Sequence, residues 1–317
     1  MSRECANGTT GGGAPIGARG SQVPCGTTLV ALNESPSDAL LFCVHTISGQ
    51  VSTYRELAAL VAPEMKVLCF EAPGLRGDAE PLASVEGMAA QYVREMREVS
   101  PNGPYTLCGY STGGILAYEM ARQLDEAGIG VRHLALVDAG LFPERLMRDL
   151  SRGEWLHRGV WIAFIYIVFR HFDRELWSGA HPFWRLKQKE KLRYLHCRLP
   201  HESKSQFWKS APFHALRRYF LFYKSQWIAV RRDYVPRSYP GHITYFEAEQ
   251  GIDRMSKLLW SELTSGRCAV VPVPGEHLTM MYQPYVESLA RSLVAAVKHD
   301  RECKAALVAG REGVNVH

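Results

Sequence analysis

The stretch from Pro104 to Tyr118 most constrains the fold of this chain, because it predicts a buried strand that turns directly into a helix. Residues 105–108 form a short apolar run, and Gly109-Tyr-Ser-Thr-Gly113 follows it. Apolar side chains then recur every four residues until Gly128. In a G-x-S-x-G sequence the two glycines allow a turn so tight that the serine stands at the carboxyl end of its strand. The pattern predicts that Ser111 is a nucleophile.

Other apolar runs of strand length precede and follow this turn. They lie at residues 39–44, 67–70, 134–137, 243–247 and 269–273. Most of them are separated by stretches with helical periodicity, including a terminal helix from Tyr285 to Val297. Strands that alternate with helices in this way predict an α/β fold with a mostly parallel sheet and helices on both faces.

Composition divides the chain into one domain with flanking tails. Residues 1–36 are rich in Gly, Ser, Thr and Pro and are predicted to form a disordered tail, and residues 301–317 a second tail. Residues 37–300 are predicted to form a single domain. The pattern changes between about 141 and 239, which we interpret as a helical lid inserted over Ser111. Its apolar run of ten residues is too short for a membrane span.

Charge and cysteine usage exclude several classes of protein. The net charge of +5 is spread along the chain without a nucleic-acid-binding motif, so no nucleic-acid partner is expected. The eight cysteines form no C-x-x-C pair, and the chain begins without a signal peptide, which favours a cytoplasmic location. His196, Cys197 and His201 lie close together, but their spacing does not match a zinc site, and no metal is expected.

A serine nucleophile requires a base, and the base requires an acid that orients it. In folds with this serine turn the order along the chain is Ser, then Asp or Glu, then His. His277 fits the third position, because it follows the last apolar strand. Two acids compete for the second position: Asp138 ends the strand after the serine turn, and Asp253 follows the next strand. Spacing alone does not choose between them.

The negative charge that forms on an attacked carbonyl oxygen requires NH donors that are already in place. One donor is expected to be the backbone NH of Thr112, directly after the nucleophile. The other should come from the loop after the first strand, His45-Thr-Ile-Ser-Gly49. For His45 itself we expect a bracing role in this loop.

Taken together, these motifs resemble the thioesterase domains that end nonribosomal peptide and polyketide synthases, which belong to the α/β-hydrolase superfamily. The resemblance covers roughly residues 38–298. The matching stretches are Leu41-Phe-Cys-Val-His-Thr-Ile-Ser-Gly49 with Tyr54-Arg-Glu-Leu-Ala58, Pro73-Gly-Leu-Arg-Gly-Asp78, Pro104 to Gly114, Leu136-Val-Asp138, Asp233-Tyr-Val-Pro236 and Gly275-Glu-His277. The family's first loop usually reads His-Pro, a small residue and two glycines, and this chain departs from that pattern at residues 46–48.

The resemblance implies a site and a reaction. It favours Asp138 as the triad acid, with Asp253 as the alternative, and by position in the motif it makes Ile47 the second NH donor. An acyl, peptidyl or polyketide chain would pass from the phosphopantetheine thioester of a carrier protein onto Ser111, with His277 as base and then acid. Hydrolysis, cyclisation or transfer would release it. No cofactor beyond the substrate's own phosphopantetheine is implied.

The predicted lid would provide the acyl pocket. The candidate contacts are Trp161, Phe164, Ile165 and Val168. Fourteen Lys and Arg residues lie between Arg174 and Arg232, a patch that could bind an acidic carrier protein or simply face solvent. The chain begins with methionine and shows no carrier domain, so we expect a discrete protein that acts in trans. An acyltransferase between a carrier and an acceptor, or an esterase or lipase on free esters, would use the same residues.

Overall fold

The computed structural model describes residues 27–75, 80–82, 84–140, 222, 225–226, 228–230, 234–250 and 256–312. Most of the predicted lid insertion, about 141–239, therefore lies outside the described residues. The same is true of the residues predicted there as substrate contacts, Trp161, Phe164, Ile165 and Val168, and of the alternative acid Asp253.

The described strands form one seven-stranded sheet in the order β1-β3-β2-β4-β5-β6-β7. The strands are β1 Leu29–Ala31, β2 Leu40–Val44, β3 Lys66–Phe70, β4 Tyr105–Tyr110, β5 Val131–Val137, β6 Ile243–Gln250 and β7 Cys268–Glu276. Strand β1 runs antiparallel to β3, and every other neighbouring pair is parallel. The prediction of a mostly parallel sheet is confirmed.

Helices cover both faces of this sheet, as predicted. The described helices are α1 Arg55–Val61, α2 Val85–Val99, α3 Thr112–Glu126, α4 Ser256–Leu263 and α5 Val286–Glu312, and a 3-10 turn at Ser52–Tyr54 precedes α1. Helices α2, α3 and α4 bury their apolar side chains in a cluster on one face. Helices α1 and α5 pack in a second cluster on the opposite face. The two clusters hold the central strands in fixed register, because packed interiors resist displacement.

The carboxyl ends of β2 and β4 form the point where the sheet reverses its winding. Strand β2 leads into α1 on one face, whereas β4 leads into α3 on the other. The loops that follow these neighbouring strands therefore diverge, and a crevice opens between them. In open α/β sheets ligands bind in such a crevice, so the topology places the candidate site here.

Two boundaries differ from those that the sequence predicts. Strand β1 lies inside the predicted tail 1–36, because Leu29 pairs with Phe70 and the NH and hydroxyl of Thr28 donate to the Glu95 carboxylate at 2.8 and 2.6 Å. Helix α5 continues to Glu312, through part of the predicted tail 301–317. The segment after Val297 has lost its apolar periodicity but contains mostly good helix formers, and propensity extends the helix.

A buried charge cluster on helix α3 binds residues 234–237, at the carboxyl end of the predicted lid insertion. Arg122 donates to both carboxylate oxygens of Glu119, at 2.8 and 2.6 Å, and the two residues are 4% and 1% exposed. The hydroxyl of Tyr234 donates to Glu119 at 3.0 Å. The hydroxyl of Tyr118, also on α3, donates to the carbonyl of Arg237 at 2.7 Å. These contacts hold residues 234–237 against the helix that begins directly after Ser111.

Replacing Arg122 with Met should lower the free energy of unfolding by about 3 kcal/mol, because it leaves the buried Glu119 carboxylate without its counter-charge. Replacing both Arg122 and Glu119 with apolar residues should recover most of this loss. The matched control is Lys298→Met, which breaks an exposed ion pair with Glu64 and should cost less than about 1 kcal/mol. Urea unfolding measures all three, and equal losses for Arg122→Met and Lys298→Met would contradict the prediction.

Candidate active site

The turn that presents Ser111 is built from glycines that no other residue could replace without movement. A Cβ atom at Gly109 would lie 2.2 Å from the carbonyl oxygen of Gly113, and one at Gly113 would lie 2.4 Å from the carbonyl oxygen of Val44. Ser111 itself adopts φ 57° and ψ −127°, a strained backbone for a residue with a side chain. The Ser111 NH donates to the Val137 carbonyl at 3.0 Å, which fixes the turn against β5.

The imidazole of His277 links Ser111 to Asp138. His277 Nε2 lies 3.1 Å from Ser111 Oγ, and its Nδ1 lies 2.7 Å from Asp138 Oδ2. A carboxylate can only accept, so Nδ1 carries the proton and Nε2 is left to accept the Ser111 hydroxyl hydrogen. The structure thus brings together three residues that are separated by 166 and 139 positions in the chain.

Asp138 is held from several directions at the end of β5. Its NH donates to the Phe246 carbonyl at 2.8 Å, and its Oδ1 accepts from the Ala248 NH at 3.4 Å. The backbone adopts φ 40°, and the side chain is 4% exposed. Hydrogen bonds from the Ala248 NH and from His277 therefore satisfy the oxygens of this buried side chain. The spacing argument left Asp138 and Asp253 open, and Asp138 is the acid that contacts His277.

The residues predicted to supply NH donors lie on the two diverging loops. Thr112 is the first residue of α3, where backbone NH groups have no partner within the helix. Ile47 lies in the turn after β2, which the Gly49 NH closes by donating to the Thr46 carbonyl at 2.8 Å. Strands β2 and β4 are neighbours, so both loops border the same crevice.

His45 is enclosed in this loop. Its Nδ1 lies 2.7 Å from the Thr46 carbonyl and therefore donates, and its Nε2 lies 2.7 Å from the Tyr92 hydroxyl and accepts. Burial lowers the pKa of the His45 imidazole to about 4. The ring is therefore neutral at physiological pH, and both its nitrogens are used. These contacts fit the predicted bracing role. Tyr92 was not among the predicted site residues, since its position in α2 gives no signal of this contact.

The predictions about cysteines, metal sites and membrane spans concern residues outside the crevice. Cys43, Cys69 and Cys108 are free and buried on three adjacent strands, and burial raises the pKa of the Cys43 and Cys69 thiols. Within the described ranges, no cluster of His, Cys, Asp or Glu side chains could hold a metal ion. Nor does any helix in that part of the chain have the length and apolar character to cross a membrane. The pair His196-Cys197 and His201 lie outside the described residues.

Comparison with known proteins relates this site to thioesterase domains. Residues 39–181, which include Ser111 and Asp138, match the family model of the thioesterase domain. The polyketide synthase PksR of Bacillus subtilis is 33% identical over 111 residues, 35% of this chain and 4% of PksR. The atromentin synthetase of Tapinella panuoides is 25% identical over 268 residues, 80% of this chain and 26% of the synthetase.

A solved structure of a thioesterase domain shares the fold. The NocB thioesterase domain of the nocardicin cluster, solved in covalent complex with a fluorophosphonate nocardicin G analogue, superposes with a TM-score of 0.57 at 21% identity. The match covers 85% of this chain and 99% of the NocB domain. The predicted α/β-hydrolase fold is therefore confirmed, and residues 39–181 are similar to thioesterase domains. The chain spans about a quarter or less of the two curated relatives named here.

Replacing Ser111 with Gly should make the protein about 1 kcal/mol more stable than replacing it with Ala. Glycine removes a strain of about 1–3 kcal/mol at positive φ. Its greater conformational freedom in the unfolded chain offsets about 0.5–1 kcal/mol of this gain in stability. The matched control is Ser52, which lies in a 3-10 turn without positive φ, where Gly should be less stable than Ala. Urea unfolding of the four variants measures both differences. The same sign at the two positions would contradict the prediction.

The buried His45 should make stability depend on pH. Its pKa is about 4 in the folded state and about 6.5 in the unfolded chain, so the unfolded chain binds more protons between these values. Stability is therefore lost as the pH falls from about 6.5 towards 4. The His45 contribution between pH 7 and pH 5 is about 2 kcal/mol.

Urea unfolding at the two pH values, for the wild type and for His45→Asn, isolates this contribution, because other titrating groups are common to both proteins. The Asn side chain retains a donor for the Thr46 carbonyl and does not titrate. We expect the variant to lose about 2 kcal/mol less than the wild type. Equal losses would show that His45 does not titrate between the folded and unfolded states in this range.

Proposed function

We propose that Ser111, His277 and Asp138 form the catalytic triad of a serine thioesterase that takes acyl chains from carrier proteins. The observation that carries this proposal is the unbroken line of contacts from Asp138 Oδ2 through the His277 ring to Ser111 Oγ, at 2.7 and 3.1 Å. The match of residues 39–181 to the thioesterase domain family model supports thioesters as the substrate class.

In the first half of the reaction, Ser111 Oγ attacks the thioester carbonyl carbon while His277 Nε2 takes the hydroxyl proton. The resulting tetrahedral intermediate collapses, the carbon–sulfur bond breaks, and His277 returns the proton to the leaving thiol. The acyl chain is then an ester of Ser111. Asp138 remains ionised throughout and stabilises the imidazolium that forms between these two steps.

In the second half, His277 removes a proton from water or from an amine or alcohol, which attacks the Ser111 ester. The proton then passes to Ser111 Oγ as the acyl–oxygen bond breaks. Water gives a free acid, a nucleophile within the acyl chain gives a cyclic product, and an external acceptor gives transfer. All three outcomes use the same triad.

We assign the oxyanion hole to the backbone NH groups of Thr112 and Ile47. Thr112 begins α3, so the positive end of the helix dipole adds to its NH at the place where the oxyanion forms. Ile47 lies on the neighbouring loop, which the neutral His45 and the Thr46–Gly49 hydrogen bond hold in one conformation. Donors that need no reorganisation during the reaction are the effective ones.

The substrate would be presented on the phosphopantetheine arm of an acyl or peptidyl carrier protein, and the enzyme itself requires no cofactor. This assignment rests on homology to polyketide and nonribosomal peptide thioesterase domains. The apolar part of the predicted lid, with Trp161, Phe164, Ile165 and Val168, is proposed to contact the acyl chain, and its cationic part to bind the carrier. The free, buried thiols favour function in the cytoplasm.

Intact-mass measurement tests this function. The protein is incubated with an acyl-loaded carrier protein and, separately, with a short acyl thioester of N-acetylcysteamine. The wild type should gain the mass of one acyl group, and Ser111→Ala should not. In Asp138→Asn we expect turnover to fall by three to four orders of magnitude, because the imidazole then favours the wrong tautomer. In His277→Ala any acyl adduct should form slowly and persist.

The controls are substitutions of the same residue types away from the crevice, Ser261→Ala, Asp125→Asn and His242→Ala, which should retain full turnover. Product masses separate hydrolysis from cyclisation and from transfer to an added acceptor. Turnover of free esters without any acyl adduct from a thioester would contradict the proposal and identify an esterase instead.

A further inference from the structure

The pairing of β2 with β4 ends immediately before the two catalytic loops. The last paired residues are Val44 and Gly109. Beyond them β2 becomes the loop of residues 45–49, and β4 becomes the turn at Ser111. Since the two segments diverge here, the Val44 carbonyl and the Tyr110 NH cannot bond to each other in the β-ladder. A buried backbone group without a hydrogen-bond partner is strongly unfavourable.

The hydroxyl of Tyr54 occupies the gap between the diverging chains. It accepts from the Tyr110 NH at 2.7 Å and donates to the Val44 carbonyl at 2.7 Å. A single side-chain oxygen therefore takes the place of one backbone hydrogen bond between the strands. It binds the segment that leads to Ile47 and the segment that leads to Ser111. No water is needed at this point, because the hydroxyl satisfies both groups.

The position of this hydroxyl is determined by core packing. Tyr54 is fully buried at the end of the 3-10 turn before α1, in the apolar cluster that also contains Cys43, Cys108 and Val61. Burial raises the pKa of the Tyr54 hydroxyl well above its ordinary value, so it keeps its proton and remains a donor. Burial fixes the position of the ring, because packed interiors tolerate little displacement.

A second tyrosine continues the connection to the base. The Tyr110 hydroxyl donates to the His277 carbonyl, and the Tyr110 ring stacks on the imidazole at a centroid distance of 5.0 Å and an interplanar angle of 29°. Tyr110 is thus joined through its NH to Tyr54 and through its hydroxyl to His277. It is also the residue directly before Ser111.

We propose that Tyr54 and Tyr110 are positioning residues that set the distances between the oxyanion loop, Ser111 and His277. The chain of hydrogen bonds runs from the Val44 carbonyl through the Tyr54 hydroxyl to the Tyr110 NH, and from the Tyr110 hydroxyl to the His277 carbonyl. Neither tyrosine is assigned a contact with substrate. The role rests on the proposed function of the triad, and it names the residues that hold the parts of the triad and oxyanion hole together.

The decisive variant is Tyr54→Phe, which removes one oxygen atom and keeps the ring. The loops on either side of the gap then lose their common anchor, and the Ile47 NH moves relative to Ser111. A displacement of about 1 Å in a catalytic group can cost about 100-fold in rate. We expect kcat for a short acyl thioester to fall by about 10- to 100-fold, with KM changed by less than about threefold, because only the transition state uses the oxyanion hole.

The matched control is Tyr105→Phe. Tyr105 is a buried tyrosine on β4, the strand that also contains Tyr110, and its hydroxyl donates to the Ser100 carbonyl at 2.5 Å at the opposite end of that strand. Tyr105→Phe should lower the melting temperature by an amount similar to Tyr54→Phe while kcat stays within about twofold of the wild type. Tyr110→Phe keeps the stacking on His277 and loses the hydrogen bond to its carbonyl, so kcat should fall by about tenfold.

The same variants are compared by their rate of labelling with an alkyl fluorophosphonate, in which Ser111 Oγ bonds to phosphorus, fluoride leaves and His277 takes the proton. This rate depends on the geometry of the serine, base and oxyanion hole and not on the natural substrate. Slower labelling of Tyr54→Phe than of Tyr105→Phe supports the proposal. A wild type that is labelled at Ser111 but turns over no thioester refutes the proposed function alone, and the labelling rates still decide the role of the tyrosines.

Equal kcat and equal labelling rates for Tyr54→Phe and Tyr105→Phe would overturn the proposal, as would a rise in KM at unchanged kcat. If Tyr54→Phe does not fold, Tyr110→Phe decides: unchanged kcat and labelling in that variant would overturn the proposal, and a loss of about tenfold in both would support it.

Discussion

The close approach of the Ser111 turn to the end of β2 is the constraint on which the site depends. Gly113 lies so near the Val44 carbonyl that a Cβ atom would be 2.4 Å from it. Helix α3 can therefore begin directly beside the loop of residues 45–49. Apolar packing on both faces of the sheet holds β2 and β4 at this separation. The close contact between the backbones of Gly113 and Val44 thus depends on the packing of the hydrophobic core.

Strain at the site is offset by backbone hydrogen bonds from the same sheet. Ser111 and Asp138 are the described residues other than glycine with positive φ, and each lies at the carboxyl end of a central strand. Conformations of this kind cost about 1–3 kcal/mol each. The Ser111 NH donates to Val137 and the Asp138 NH donates to Phe246, so each strained residue is fixed by the next strand in order. The strain places both side chains where His277 can reach them.

Sequence reasoning succeeded where the signal is local. The central strands β2 to β5 are buried on both faces and appear as continuous apolar runs, and the serine turn is specified by its own glycines. It failed where stability comes from distant contacts, as for β1, a strand of three residues held by Phe70 and Glu95. Spacing left Asp138 and Asp253 open, because the contact of Asp138 with His277 joins residues 139 positions apart. Neither Tyr54 nor Tyr92 was predicted to be a site residue, because the Tyr92 hydroxyl binds His45, 47 positions away, and the Tyr54 hydroxyl binds the Tyr110 NH, 56 positions away.

The loop after β2 shows how a departure from the family's usual sequence can preserve a tight turn. Thr46, Ile47 and Ser48 occupy positions where the family usually has proline, a small residue and glycine. The hydroxyls of Thr46 and Ser48 are 3.0 Å apart, the Gly49 NH binds the Thr46 carbonyl, and Gly49 alone in the loop has a positive φ, of 76°. A Cβ atom there would lie 2.6 Å from the Phe222 ring. With His45 held between Thr46 and Tyr92, side-chain hydrogen bonds define a turn that proline and a second glycine would otherwise define. In the proposed oxyanion hole, this loop would hold the Ile47 NH without the flexibility of two glycines.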